Sequence, residues 1–301
     1  MTLTIDVVLL TKNSMKPCLP ECIASLYKNV PVKRLLVIDN NSNDGTIEFL
    51  KHFPNVKIVQ DSGNRATARQ LGIELCETEW FMFLDSDVVL EEGWFQAAEK
   101  YIADANIGAI QGATIQNVER NIADFEKVMK TVRKWFGGLT TRTFLEPEQR
   151  GYTGDILIKA ELVKDIRIPT YLDIFEDHYI KKWIENKGYI FFRAQDMICH
   201  HHMENRSPKV SLNGGYIGYK IGYITLKQSI LAVMSIIPKI ILASYMTSNL
   251  KMALWQLKFQ LYSFIGVLKA KLTTNVDESV HRVLKFQTGA RKEVPKDYKV
   301  I

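Results

Sequence analysis

The chain has 301 residues, 47% apolar and 24% charged, which is enough to bury a sizeable core and excludes a disordered chain. Four cysteines, at 18, 22, 76 and 199, are too few and too irregular for a disulfide scaffold; they read as reduced thiols, and Cys18 with Cys22 makes half a metal site without a second half. The net charge of +6 is unevenly divided: residues 203–301 hold 15 Lys+Arg against 5 Asp+Glu (+10), leaving 24 against 28 (−4) for the rest, so a mildly acidic body joins a basic segment suited to an anionic partner.

"IDVVLL" (5–10) follows the first residues directly, with no basic region or cleavage site ahead of it, so no signal peptide is expected. It reads as the first strand, followed by a helix at "LPECIASLYKN". "RLLVID" (34–39) is the second strand and "DGTIEFLKHF" a short helix. "VKIVQ" (56–60) is the third, with a helix over "NRATARQLGIELC". "WFMFL" (80–84) and "IGAIQGATI" (107–115) are the fourth and fifth. Strands alternating with helices imply parallel pairing with helices on both faces. The strand ends Thr11-Lys12-Asn13, Asp39-Asn40-Asn41 and Asp85-Ser86-Asp87 should then share one carboxyl edge, where such sheets bind ligands.

Residues 120–150 are charged and less regular, suggesting a helix and a loop. "GYTGDILIKAELV" resumes strand and helix signals, and "EDHYIKKWIENKGY" (176–189) reads as a helix closed by Gly188 at C′. "IFFRAQDMICHHH" reads as a strand and a turn. From about 214 the chain becomes apolar and punctuated by lysines, yet no window reaches the roughly 18 apolar residues of a spanning helix. Lys251, Lys258 and Lys269 fall in one narrow sector of a helix, a pattern that suits a helix lying in an anionic membrane surface. A pair of helices packed on the body, or a short hairpin entering the bilayer at 229–246, are the alternatives.

"LDSDVV" delivers Asp85 and Asp87 to one spot, where they repel unless a cation or a proton intervenes. Three readings follow. The acids mark a plain turn; or they fit a haloacid-dehalogenase-type phosphatase motif with Asp85 as nucleophile; or they hold Mg²⁺ or Mn²⁺ on a diphosphate. The phosphatase motif belongs on the first strand of its fold, and here three strand–helix units precede it.

"VVLLTKN", "DNNSNDGT", "ARQLG" and "FLDSDVV", in this order, resemble the nucleotide-sugar half of inverting family 2 glycosyltransferases with the GT-A fold. "DNNSNDGT" looks like that family's "DDGSTDGT", and "ARQLG" like its "ARNxG", although a glycine expected near Arg65-Ala66 is replaced. The resemblance implies an α/β GT-A domain over 1–210, apolar basic helices over 211–274 and a polar tail over 275–301. It implies that Thr11 and Asp39 contact the nucleoside, that Arg69 and Asp85 lie at the nucleotide, and that Asp87 and Asp85, with His200 chosen by its spacing within "CHHH", hold Mn²⁺ or Mg²⁺. A separate zinc site at Cys199 has no partner cysteine nearby. "FEDHYIKKWIENKGY" resembles the family's acidic-pair motif, implying Asp177 as the base that deprotonates an acceptor hydroxyl, or as a positioning group if the acceptor is already an anion. Helix N-terminus preference is the plainer account of Glu176 and Asp177. The "QxxRW" motif of processive synthases is missing, favouring single transfer.

The resulting expectation is a metal-dependent transferase moving one sugar from a nucleotide diphosphate sugar, UDP-linked rather than GDP-mannose on family frequency. Its acceptor would be a polyprenyl phosphate, lipid or glycan at the cytoplasmic membrane face, reached through residues 214–272. No nucleic-acid partner is implied. A catalytically silent nucleotide-sugar-binding membrane protein is the remaining alternative.

Overall fold

The computed structural model describes residues 3–117, 151–202, 208–247 and 250–285. The described residues divide into two units, one of 3–117, 151–202 and 283–285, the other of 208–282. All of the charged stretch at 120–150, and residues 286–301 of the tail, lie outside the described residues.

The first unit is built on one eight-stranded sheet. Its strands are β1 (Ile5–Thr11), β2 (Val32–Asp39), β3 (Val56–Gln60), β4 (Trp80–Asp85), β5 (Val88–Leu90), β6 (Ile107–Asn117), β7 (Asp155–Lys159) and β8 (Ile190–His202), ordered β3-β2-β1-β4-β7-β6-β8-β5. β1, β2, β3 and β4 pair in parallel. Apolar runs bury both faces of this half: Trp80 to Leu84 are at most 2% exposed, the signature of strands covered on both sides.

Beyond β4 the all-parallel expectation fails. β7 inserts antiparallel between β4 and β6, while β6 runs parallel to β8. The antiparallel strand β7 enters the sheet after residues 118–150, which lie outside the described residues. β5, three residues long, lies antiparallel to the far end of β8, and that strand continues through the three histidines where a turn was expected.

Helices α1 (Leu19–Asn29), α2 (Thr46–Leu50), α3 (Arg65–Leu75), α4 (Trp94–Ile102) and α5 (Glu176–Asn186) complete this unit. α3 starts on a capping box: Asn64 Oδ1 accepts from Ala66 N (3.0 Å) and Thr67 N (3.2 Å), while Thr67 Oγ1 accepts from Asn64 N (2.9 Å). That cap stands where the resemblance led us to expect a glycine. Gly72 explains the end of "ARQLG": a Cβ there would lie 2.5 Å from Val8 Cγ1 and 3.4 Å from Phe83, so only glycine lets α3 approach the sheet this closely. α5 ends as expected, with Gly188 at φ +83° after its last turn.

The second unit holds α6 (Val210–Lys220), α7 (Leu226–Met234), α8 (Ile236–Thr247) and α9 (Leu250–Thr273), and α10 (Glu278–Lys285) follows. α6 and α9 meet backbone to backbone. A Cβ on Gly215 would fall 2.0 Å from Ser263 O and one on Gly266 2.1 Å from Leu212 O, while Ser211 Oγ donates to Phe259 O at 2.6 Å. Among the described residues no helix is long and apolar enough to cross a membrane.

Candidate active site

The carboxyl edge of the parallel half gathers the predicted residues. β1 and β2 pair in register so that Thr11 faces Asp39, and Thr11 Oγ1 donates to Asp39 Oδ1 at 2.7 Å. Asp39 is fully buried and also accepts from Ser42 Oγ (2.5 Å), Ser42 N (2.8 Å) and Gln60 Nε2 (3.2 Å). Both of its oxygens are therefore engaged within the protein, and its direct effect is to pin the loop after β2. That loop is stitched to the one after β1: Asn13 N donates to Ser42 Oγ (2.8 Å), Asn43 N to Asn13 Oδ1 (2.9 Å) and Met15 N to Asp44 Oδ2 (3.0 Å). Asn13 and Asn41 sit at φ +50° and +54°, which asparagine tolerates better than most residues. Sequence reasoning placed Asn13 and Asn41 at this edge without giving them a role, although a run of Asn, Ser and Asp is itself a signal for side-chain-bonded turns.

The acids at the end of β4 differ in their surroundings. Asp85 takes a hydrogen bond from Arg69 Nη2 at 3.0 Å, and Arg69 itself is only 3% exposed, stacked over the Phe83 ring at 4.9 Å. Burial alone would push the Asp85 carboxyl up. The charge and hydrogen bond of Arg69 outweigh it, with His201 and Arg65 adding, and hold the pKa below the usual carboxylate value. Asp87 lies 3.1 Å from His201 Nε2, and both side chains are part exposed, 30% and 17%. Ser86, between the acids, donates to Ser14 Oγ at 2.9 Å and ties the motif to the β1 loop.

The structure places His200 elsewhere. Val88 pairs with His201 and Val89 with His200, so strand alternation sends neighbouring rings to opposite faces. His200 Nε2 contacts Glu91 Oε1 at 2.7 Å, and the ring that reaches Asp87 is that of His201. Cys18, Cys22 and Cys199 are buried and all four cysteines are unpaired thiols. Among the described residues no three His, Cys, Asp or Glu side chains form a ready metal cluster.

Arg69 also joins this edge to α5. Its Nε lies 3.7 Å from Glu176 Oε1, so one guanidinium stands between the Asp85 and Glu176 carboxylates. Burial, then the charge of Asp177, pushes the Glu176 carboxyl up to about 7 against the opposing pull of Arg65 and Arg69. Asp177, 6% exposed, accepts from His178 N at 2.7 Å in the first turn of α5. The 151–154 strip runs past both acids. A Cβ on Gly151 would lie 2.8 Å from Asp177 O, and one on Gly154 3.0 Å from Asp85 Oδ2. The sequence reading did not single out Asp155, 2% exposed, whose carboxyl burial raises to about 7 and whose Oδ2 accepts from Cys199 Sγ at 3.1 Å. It fits because Gly112 offers no Cβ, which would fall 2.2 Å from that oxygen.

A parallel half-sheet closed by an antiparallel insert, with paired acids at the end of the fourth strand, defines a GT-A-type α/β transferase fold. The sequence profile of glycosyl transferase family 2 matches residues 6–166, and the chain belongs to that family of nucleotide-sugar glycosyltransferases. It is similar to glycosyltransferase AglE of Haloferax volcanii, 23% identical over 195 residues, a match covering 62% of each chain; it thus spans less than two thirds of that relative. In fold it is similar to the mannosyltransferase PcManGT of Pyrobaculum calidifontis, solved with GDP-Man and Mn²⁺ (TM-score 0.56, 16% identity, 90% of this chain and 88% of that one). It also resembles residues 1–349 of S. aureus TarS, solved with UDP-GlcNAc (TM-score 0.52, 14% identity, 91% and 93%). Family membership displaces the phosphatase reading of Asp85.

Proposed function

We propose that the chain transfers a single sugar, with inversion, from a nucleotide diphosphate sugar to an acceptor carried at a membrane, such as a polyprenyl phosphate, a lipid or a glycan. The observation that carries this reading is the guanidinium of Arg69, which bridges the acid motif at β4 to the acidic pair opening α5. Donor-side and acceptor-side groups thereby meet at one edge.

Thr11 and Asp39 shape the nucleoside end. Because Asp39 is covered by Ser42 and Gln60, the loop it pins, residues 40–44, presents the groups that meet the base. Asp87 with His201, and Asp85 beside them, would hold a divalent cation: one imidazole and two carboxylates suit Mn²⁺ or Mg²⁺, and Asp87 and His201 already converge. Bound there, the cation neutralises charge on the departing diphosphate. Arg69 keeps Asp85 ionised and oriented for that task. Asp177, in the first turn of α5, takes the proton of an acceptor hydroxyl as the new bond forms; with a phosphate acceptor it orients the nucleophile instead. UDP-sugars are favoured on family frequency, and GDP-mannose is compatible; solved neighbours include one with GDP-Man and one with UDP-GlcNAc.

A thermal-shift screen of nucleotide sugars with and without Mn²⁺ tests the donor side. A metal-dependent rise in Tm with one sugar nucleotide is expected, because a ligand of the native state stabilises it by RT ln(1 + [L]/Kd). Equal shifts without metal, or release of phosphate from simple esters without nucleotide, would overturn the reading.

A further inference from the structure

The helical unit exposes an apolar surface that its own fold does not use. Along α9, Leu254 (46% exposed), Leu261, Ile265 (49%), Leu268 and Leu272 (84%) lie within about 60° of one another at 100° per residue. The residues that meet α6, namely Phe259, Ser263 and Gly266, lie roughly 130° to 170° from the centre of that stripe. α9 is therefore apolar on two opposed sides, one packed against α6 and one open. α7 and α8, which pack on α9, carry a second open stripe: Ile230, Met234 (73%), Ile237 (66%), Ile241 (65%) and Tyr245 (86%) recur at steps of three or four residues.

Charge decides what covers these stripes. Exposed Lys258 and Lys269 flank the centre of the α9 stripe at about 50° to 70° on one side and Lys271 at about 90° on the other. From residue 205 to 276 the sequence contains nine Lys or Arg and no Asp or Glu. A second copy of the chain would bring the same cations to the interface, and like charges facing each other disfavour it. Lysines beside a leucine stripe instead match a surface whose interior is hydrocarbon and whose rim is anionic.

We infer that the helical unit docks in the plane of an anionic lipid bilayer, with the α9 and α7–α8 stripes entering the headgroup boundary and Lys258, Lys269 and Lys271 meeting lipid phosphates. The inference stands apart from the transfer reaction, because docking requires neither donor nor turnover.

The test is co-flotation of the full chain with vesicles of phosphatidylcholine alone and of phosphatidylcholine with phosphatidylglycerol, at low and high salt. Binding is expected only to the anionic vesicles, weakened by salt. Lys258→Ser with Lys269→Ser should weaken it about 30-fold, at roughly fivefold per lysine. Leu261→Ser with Ile265→Ser, and separately Ile237→Ser with Ile241→Ser, should also lower it, while an unchanged Tm shows that these variants still fold. Equal binding to neutral vesicles, or indifference to the lysines, overturns the inference. So does a monomer that binds no vesicle, or a concentration-dependent dimer abolished by the serine variants, which would mean that a second copy covers the stripes.

Discussion

In the sheet unit three acids of the edge have partners: Asp39 in Thr11, Ser42 and Gln60, Asp85 in Arg69, and Glu176, through Oε1, in the same guanidinium. In the helical unit the side chains without an answer are apolar, with Met234, Tyr245 and Leu272 all more than 70% exposed. One unit spends its sequence on making charge tolerable inside a fold; the other leaves hydrocarbon outside one. The difference fits what each is proposed to meet, since a diphosphate and a cation demand fixed, preorganised dipoles, whereas a fluid surface demands area and a scatter of positive charge.

Substitutions in the sheet unit should therefore act on chemistry and on internal electrostatics. The largest effect is expected from Asp87→Ala, which should lower transfer at least a hundredfold with any acceptor while moving Tm little, because Asp87 is part exposed. Asp177→Asn should match that loss only for a hydroxyl acceptor. Full activity of Asp87→Ala at saturating Mn²⁺, followed by product chromatography, would remove the cation from the account.

Arg69→Met comes next. It leaves Asp85 and Glu176 side by side without their cation, so a loss of about 3–5 kcal/mol in urea unfolding is expected. Adding Glu176→Gln should restore part of it; an unchanged midpoint in Arg69→Met would mean that the bridge contributes nothing.

The pH dependence is somewhat smaller. Glu176, ordinarily near 4.5, and Asp155, near 3.8, are both raised to about 7 in the folded protein. Between those values the folded state keeps protons that the unfolded state has lost, so stability falls as pH rises through this window and levels off above about 7. For metal-free protein the share of Glu176 is on the order of 3 kcal/mol at most. Glu176→Gln should flatten the decline, read as Tm from pH 5 to 8, and a decline of equal slope in the variant would reassign it. Smallest is Gly72→Ala, where the new methyl meets Val8 and should cost about 1–3 kcal/mol, since α3 must lift from β1.

Much of the candidate edge was legible because it is written locally. Four apolar runs of strand length end in Thr11, Asp39, Gln60 and Asp85, and parallel neighbours bring such ends together. The antiparallel entry of β7 was not legible, because its pairing with β4 joins residues more than 70 apart and no local pattern encodes it. The histidine was lost for a related reason. Strand alternation makes position 200 and position 201 opposite in direction, and only the pairing of β8 with β5, itself a three-residue strand too short to see, sets which faces Asp87. Asp155 was invisible because its burial depends on Gly112, 43 residues away and on another strand. Glu176 was read as part of an acidic-pair motif, with helix-start preference as the alternative, and neither reading showed its partner Arg69, which comes from a helix more than 100 residues earlier.

The glycine contact between α6 and α9 has a mechanical consequence. With Gly215 against Ser263 and Gly266 against Leu212, the two backbones are keyed like a shaft in a slot, and α9 cannot turn about its own axis without driving carbonyl into carbonyl. The azimuth of its leucine row is thereby set before any encounter, and a purified sample will have to satisfy that row with detergent, lipid or aggregation.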